Sequence, residues 1–191
     1  MGFSKAELAS FENVEVPDLL GEDLRLLFVG INPGLWTAAV QAHFARPGNR
    51  FYPALLQAGI ITEPVAPSAG MTDREREHLQ SRGVGITNIV RRATAGAAEL
   101  TPAELREGGE RLRELVRTRR PRVVAVAGIT AYRHAFGRPK AVPGRQDEDI
   151  EGTELWVVPN PSGLNAHETV ASLAEAYAAP ARAAGVLGTR L

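Results

Sequence analysis

Four short apolar runs, rich in β-branched residues and each ending in a tight polar or glycine-containing segment, constrain this chain more than any other feature. Leu26-Leu27-Phe28-Val29 leads into Gly30-Ile31-Asn32-Pro33-Gly34, and Leu155-Trp156-Val157-Val158 leads into Asn160-Pro161-Ser162-Gly163-Leu164. Runs that are apolar without alternation read as strands buried on both faces. Strands are expected at 25–30, 85–90, 123–128 and 155–158. Helical signals fall between them. Asn49 caps a helix over 49–58 that stops at Gly59, and a charged helix covers 73–82. Thr101-Pro102-Ala103-Glu104 is a capping box with proline at the first helical position, opening a helix to about 118. A short helix covers 130–136, and a last one starts near 165 and is broken or ended by Pro180. Residues 32–46 read as a long loop and 138–152 as a polar loop or hairpin. Strands alternating with helices predict an α/β fold with a parallel sheet covered on both faces. Residues 1–24 read as a loosely ordered arm and 25–191 as one domain.

In open parallel sheets, ligands bind at the loops beyond the carboxyl ends of the strands. The two Asn-Pro loops, distant in sequence, are therefore expected to meet over one crevice. The chemistry available there is narrow. The four histidines have no metal-ligand spacing, and without cysteine there is no thiol nucleophile or thiolate site. Neither a GxGxxG nor a P-loop pattern is present, and no Gly-x-Ser-x-Gly elbow occurs. No carboxylate pair can be placed at a strand end. What remains is amides: Asn32, Asn88 and Asn160. An amide offers one acceptor and two donors. It can orient a water or pair with a planar base, but it does not ionise, so catalysis would rest on positioning and a good leaving group. Each of these asparagines alone also suits an ordinary turn.

Basic and acidic residues number 22 each, so net charge does not point to a polyanion and any such partner must be held by a local patch. Arg46, Arg50, Arg91 and Arg92 flank the proposed crevice and are the expected phosphate contacts. The crowded arginines at 111–122 read as a solvated helix end. No apolar run is long enough to span a bilayer, and the first residues lack the apolar core of a signal peptide, so a cytoplasmic protein without membrane contact is expected.

The four segments Gly30-Ile31-Asn32-Pro33-Gly34-Leu35, Arg46-Pro47-Gly48-Asn49-Arg50-Phe51, Gly85-Ile86-Thr87-Asn88-Ile89-Val90 and Asn160-Pro161-Ser162-Gly163-Leu164 resemble those of the mismatch-specific uracil/thymine DNA glycosylases, a branch of the uracil-DNA glycosylase superfamily. The resemblance spans roughly residues 15–180. It implies a three-layer α/β/α sandwich on a four-stranded, mainly parallel sheet. It also implies a monomer that flips uracil, thymine or an etheno-cytosine adduct out of duplex DNA opposite guanine. Such an enzyme hydrolyses the N-glycosidic bond without a cofactor or metal. Carried over, Asn32 would position the water. Phe44 would stack on the base while backbone groups of Ile31 and Phe44 read its edge. Asn88, Ala93, Thr94 and Asn160 would complete the pocket, with Thr94 helping to hold the water. Gly163, Leu164 and Asn165 would form the wedge and meet the widowed guanine, with Ser162 and His167 on phosphates. Leu164, apolar in a polar loop, suits a plug in the emptied stack; packing inward as a helix staple is the other reading. The chain departs from the family at Ala93, where proline or threonine is common, and at Ala166-His167, where many relatives carry an arginine in the wedge loop. A non-catalytic lesion-binding protein of this fold and an unrelated small-molecule hydrolase are the rival functions.

Overall fold

The computed structural model describes residues 2–188. Four parallel strands, β1 (Leu26–Gly30), β2 (Val84–Asn88), β3 (Val123–Ala127) and β5 (Glu154–Val158), lie in the order β2-β1-β3-β5. A two-residue strand, β4 (Gly144–Arg145), pairs antiparallel with β5 and makes the sheet five-stranded rather than four. It is the hairpin half of the 138–152 segment.

The residues of β1, β2 and β3 are buried on both faces because side chains alternate between two separate cores. Leu26 and Phe28 face one layer, with Phe51, Leu55 and Tyr177. Leu27 and Val29 face the other, with Leu105, Leu112, Val116 and Tyr132. The first layer is built on α3 (Phe51–Gln57) and α7 (Val170–Ala183), the second on α5 (Pro102–Arg119) and α6 (Ile129–Phe136). The result is the three-layer α/β/α sandwich.

Local chemistry explains the element boundaries. The Thr101–Glu104 capping box opens α5, and a second box, Thr72–Glu75, opens α4 (Asp73–Ser81). Asn49 accepts from the Phe51 N–H at 2.9 Å, so it serves the start of α3 from one residue before the cap, Arg50. A six-residue helix, α2 (Leu35–Val40), interrupts the segment expected as continuous loop; no side chain caps it. The last helix begins at Val170, not near Asn165, because Thr169 and Ser172 exchange capping bonds. It also runs through Pro180 to Ala183. Ala181 and Ala184 are fully buried beyond the proline, and that packing sustains the last turn.

The segment before β1, expected as a loose arm, is tied to the domain. It carries α1 (Lys5–Ala9). Leu19 and Ile86 exchange backbone hydrogen bonds at 2.9 and 2.8 Å, covering the open edge of β2. Further up, Asn13 N–H donates to Ala93 O at 2.9 Å and Ala93 N–H to Val14 O at 3.0 Å. Val16 packs on Ala38 and Ala93 in a small core of its own.

Candidate active site

The carboxyl ends of β1 and β2 and the loop after β5 converge on a cavity of about 220 Å³. Residues 32 and 164, remote in sequence, both line it. It is smaller than the ~300–1,000 Å³ typical of drug-sized ligands and suits a single planar ring. Among the described residues no carboxylate lines it, and Arg46 at the rim is its one formally charged group.

Asn32 lies two residues beyond the end of β1. Its Nδ2 faces three oxygens: Thr94 Oγ1 at 2.8 Å, Arg92 O at 3.1 Å and Pro33 O at 3.2 Å. The Thr94 hydroxyl donates to Gly96 O at 2.9 Å, so its lone pairs are turned to the amide. Only NH₂ can sit among three acceptors, and this assigns the flip of the amide. Asn32 Oδ1 accepts no bond from the described residues and is not sealed from solvent. It is therefore a fixed acceptor at the pocket wall.

A second amide is held in the same way by a residue the sequence did not single out. His43, 4% exposed, meets the Pro17 carbonyl with Nε2 at 2.8 Å. A carbonyl only accepts, so Nε2 carries the proton. Burial lowers the pKa of the ring, outweighing the opposing effects of Pro17 and Asp18, and keeps it neutral. Nδ1 is then an acceptor and takes a hydrogen from Asn88 Nδ2 at 3.2 Å. Asn88 Oδ1 lies against Gly30, where a Cβ would collide with it. Thus a second oriented amide lines the same cavity. Phe44, at φ 54°, stacks on Phe51 with centroids 4.1 Å apart and contributes to the wall of the cavity.

Ile31 borders the cavity, but its carbonyl is already taken by the Val90 N–H at 2.9 Å. Ala93 does not reach the pocket. It is fully buried against Val16 and Ala38, and the wall is made instead by Thr94 and the next three residues. Asn160 lines the cavity, yet its Oδ1 serves its own loop by accepting from Ser162 N–H at 2.9 Å.

The 160–169 loop is laced by short side chains. Ser162 Oγ accepts from Leu164 N–H at 3.2 Å, Asn165 Nδ2 donates to Asn160 O at 3.1 Å, and Asn165 Oδ1 accepts from His167 N–H at 3.3 Å. Leu164 stands at its tip, 77% exposed, so it is no inward staple. His167 is exposed and lies outside the cavity lining.

Of the four arginines expected on phosphates, three are engaged elsewhere. Arg50 donates to Asn165 O at 2.9 Å. Arg91 pairs with Asp18 at 3.1 Å in a separate cleft. Arg92 is clamped by Glu104 at 2.5 Å and Asn13 at 3.1 Å; that pairing draws the Glu104 pKa down to about 2. Arg46 alone is exposed at the rim with no ion pair among the described residues.

The sequence and the parallel α/β fold both match known proteins. The sequence profile of the uracil DNA glycosylase superfamily covers residues 17–180, and the chain belongs to that superfamily. In three dimensions it is similar to the solution NMR structure of a candidate uracil DNA glycosylase from Methanosarcina acetivorans. The TM-score is 0.62 at 17% identity, over 91% of this chain and 98% of that one, a likeness of fold.

Proposed function

We propose that this protein is a monofunctional, mismatch-directed DNA glycosylase that removes uracil opposite guanine, with thymine and etheno-cytosine as further substrates. It would work as a cytoplasmic monomer on duplex DNA. The observation that carries the reading is the pair of oriented amides, Asn32 and Asn88, beside the Phe44 ring in one cavity.

In this reading the pyrimidine leaves the duplex, at a cost of a few kcal/mol that a mismatch reduces. Leu164 fills the gap and the ring stacks on Phe44. Asn88 Oδ1, held as an acceptor by neutral His43, takes the imide N–H that uracil and thymine carry; cytosine and etheno-cytosine both lack it, so the adduct would be held by stacking on Phe44 alone. Asn32 Oδ1 accepts a hydrogen from the water and aims its oxygen at the sugar carbon. The carbon–nitrogen bond breaks, the base departs as an anion, the water oxygen bonds to carbon, and the water's proton passes to solvent. With no carboxylate to act as base, rate depends on positioning and on the leaving group. The chain's lysines are Lys5 and Lys140, and neither lines the cavity, which favours hydrolysis over a lyase step.

The test is single-turnover excision from G·U, A·U, G·T and single-stranded uracil substrates beside Asn32→Ala. Release from G·U that the variant loses supports the reading. A strand break trapped by borohydride refutes the monofunctional assignment. The absence of a carboxylate also suits a lesion binder without activity. Retained G·U affinity without an abasic product would favour that function.

A further inference from the structure

We propose that Arg50 is a positioning residue that joins the wedge loop to the base-stacking platform; this rests on the glycosylase reading above. Arg50 opens α3. Its guanidinium Nη1 donates to Asn165 O at 2.9 Å and, at a longer 3.4 Å, to Ser162 O, the carbonyls on either side of Leu164. Its own N–H donates to Pro161 O at 2.9 Å. One residue thus grips the wedge loop at three carbonyls, two of them with a cation that strengthens the bond.

The same contact is closed on the other side by glycine. A Cβ on Gly163 would stand 2.7 Å from Gly48 O, so the 46–50 segment and the wedge loop touch backbone to backbone. The next residue after Arg50 is Phe51, whose ring carries Phe44 at 4.1 Å and 27°. Consecutive residues at the start of α3 therefore hold the two parts that would act on DNA: Arg50 the wedge, Phe51 the platform under the extruded base. A wedge anchored in this way enters the duplex in fixed register with the pocket. A free loop would have to be ordered at the moment of binding, at a cost in affinity. Arg50 acts through Leu164, and its charge is directed at loop carbonyls rather than at a phosphate.

A double-mutant cycle on binding tests this without requiring catalysis. Arg50→Ala, Leu164→Ala and the double variant are titrated, by fluorescence anisotropy, with a duplex carrying a tetrahydrofuran abasic analogue opposite guanine. Arg50→Ala is expected to weaken binding about tenfold, the effect of one charge-assisted hydrogen bond. The double variant should bind within about twofold of Leu164→Ala, because a clamp has nothing to position once the wedge is gone. The slope of log K against log salt should stay that of the wild type. Additive losses, or a slope shallower by about 0.9, place Arg50 on a phosphate and overturn the proposal while leaving the glycosylase reading intact. Gly163→Ala is a second route that spares the charge: it should reproduce the loss by forcing the loops apart, and wild-type affinity in it counts against the clamp. A wild-type protein with no preference for the abasic duplex over a matched one overturns the reading and this proposal with it.

Discussion

Replacing Thr94 by valine isolates the orientation of Asn32 from its presence. Thr94 is 1% exposed, and valine keeps its shape while deleting the oxygen that accepts from Asn32 Nδ2 at 2.8 Å. The amide would not be stranded, since Arg92 O at 3.1 Å and Pro33 O at 3.2 Å remain for its two hydrogens. The lost partner of the hydroxyl, Gly96 O, belongs to an exposed residue that water can serve. Stability should therefore fall by no more than about 1 kcal/mol. The rate should fall more, because in the proposed mechanism Asn32 aims the water and the shortest of its three restraints is gone. A net hydrogen bond of about 1–2 kcal/mol, felt in the transition state, predicts a decrease of about 5- to 30-fold. Asn32→Ala, which removes the acceptor itself, should cost about 100-fold or more. The assay is single-turnover uracil release from a G·U duplex at saturating enzyme, with urea melts of each variant and Thr94→Ser as the rescue. A Thr94→Val rate within twofold of wild type, or one as low as Asn32→Ala, would refute the role of Thr94 as a restraint on Asn32.

Three further outcomes follow from the same contacts. Burial holds the folded-state pKa of His43 below its unfolded value of about 6.5, so the unfolded chain takes up that proton first. The contribution to stability is complete above that pH and is lost as pH falls towards the folded pKa, by up to about 1.4 kcal/mol per pH unit. Urea melts at pH 7.5 and 5 should show this slope and His43→Gln should flatten it; an unaltered slope assigns the effect to other groups. Gly30→Ala puts a methyl into Asn88 Oδ1 and 3.3 Å from the Phe44 ring, and should abolish uracil release while the fold survives; normal release would remove Asn88 from the pocket chemistry. Arg92→Ala should slow excision by loosening the loop that presents its carbonyl to Asn32, yet leave the salt dependence of DNA binding unchanged. A slope shallower by about 0.9 would instead assign Arg92 to a phosphate.

The strands and the amides at their ends were legible because burial on both faces and tight turns each leave a local trace in sequence. Partners leave none. Arg50, Arg91 and Arg92 read as free charges near a crevice, but Asn165 and Asp18, remote in the chain, absorb the first two in space, and Glu104, across a loop from Arg92, absorbs the third. His43 was weighed only as a metal ligand. Its actual partner, the Pro17 carbonyl, sits in a segment that looked like a loose arm. The helix Leu35–Val40 is short and begins at a glycine without a side-chain cap, so nothing separates it from loop. Pro180 misleads in the opposite sense, because tertiary burial of Ala181 and Ala184 outweighs a local helix breaker.

The arm and the pocket are consequently one mechanical system. Asn13 and Val14 bond the backbone of Ala93, and Asn13 holds the Arg92 side chain. Those two neighbours set the Arg92 carbonyl and the Thr94 hydroxyl that orient Asn32. Four residues further on, Pro17 selects the tautomer of His43 and through it the face that Asn88 presents. Both amides are thus oriented from within residues 2–20, none of which lines the cavity itself. Ala93 gains its meaning here. A small side chain at this position lets Val16 and Ala38 close over the back of the loop, and a larger one would push the arm away from the carbonyls it secures. Among the described residues no carboxylate lines the pocket, and both ring nitrogens of His43 are engaged by Pro17 and Asn88; in the proposed reaction such restraint would take the place of chemical reactivity, and every angle lost at Asn32 would be lost from the rate.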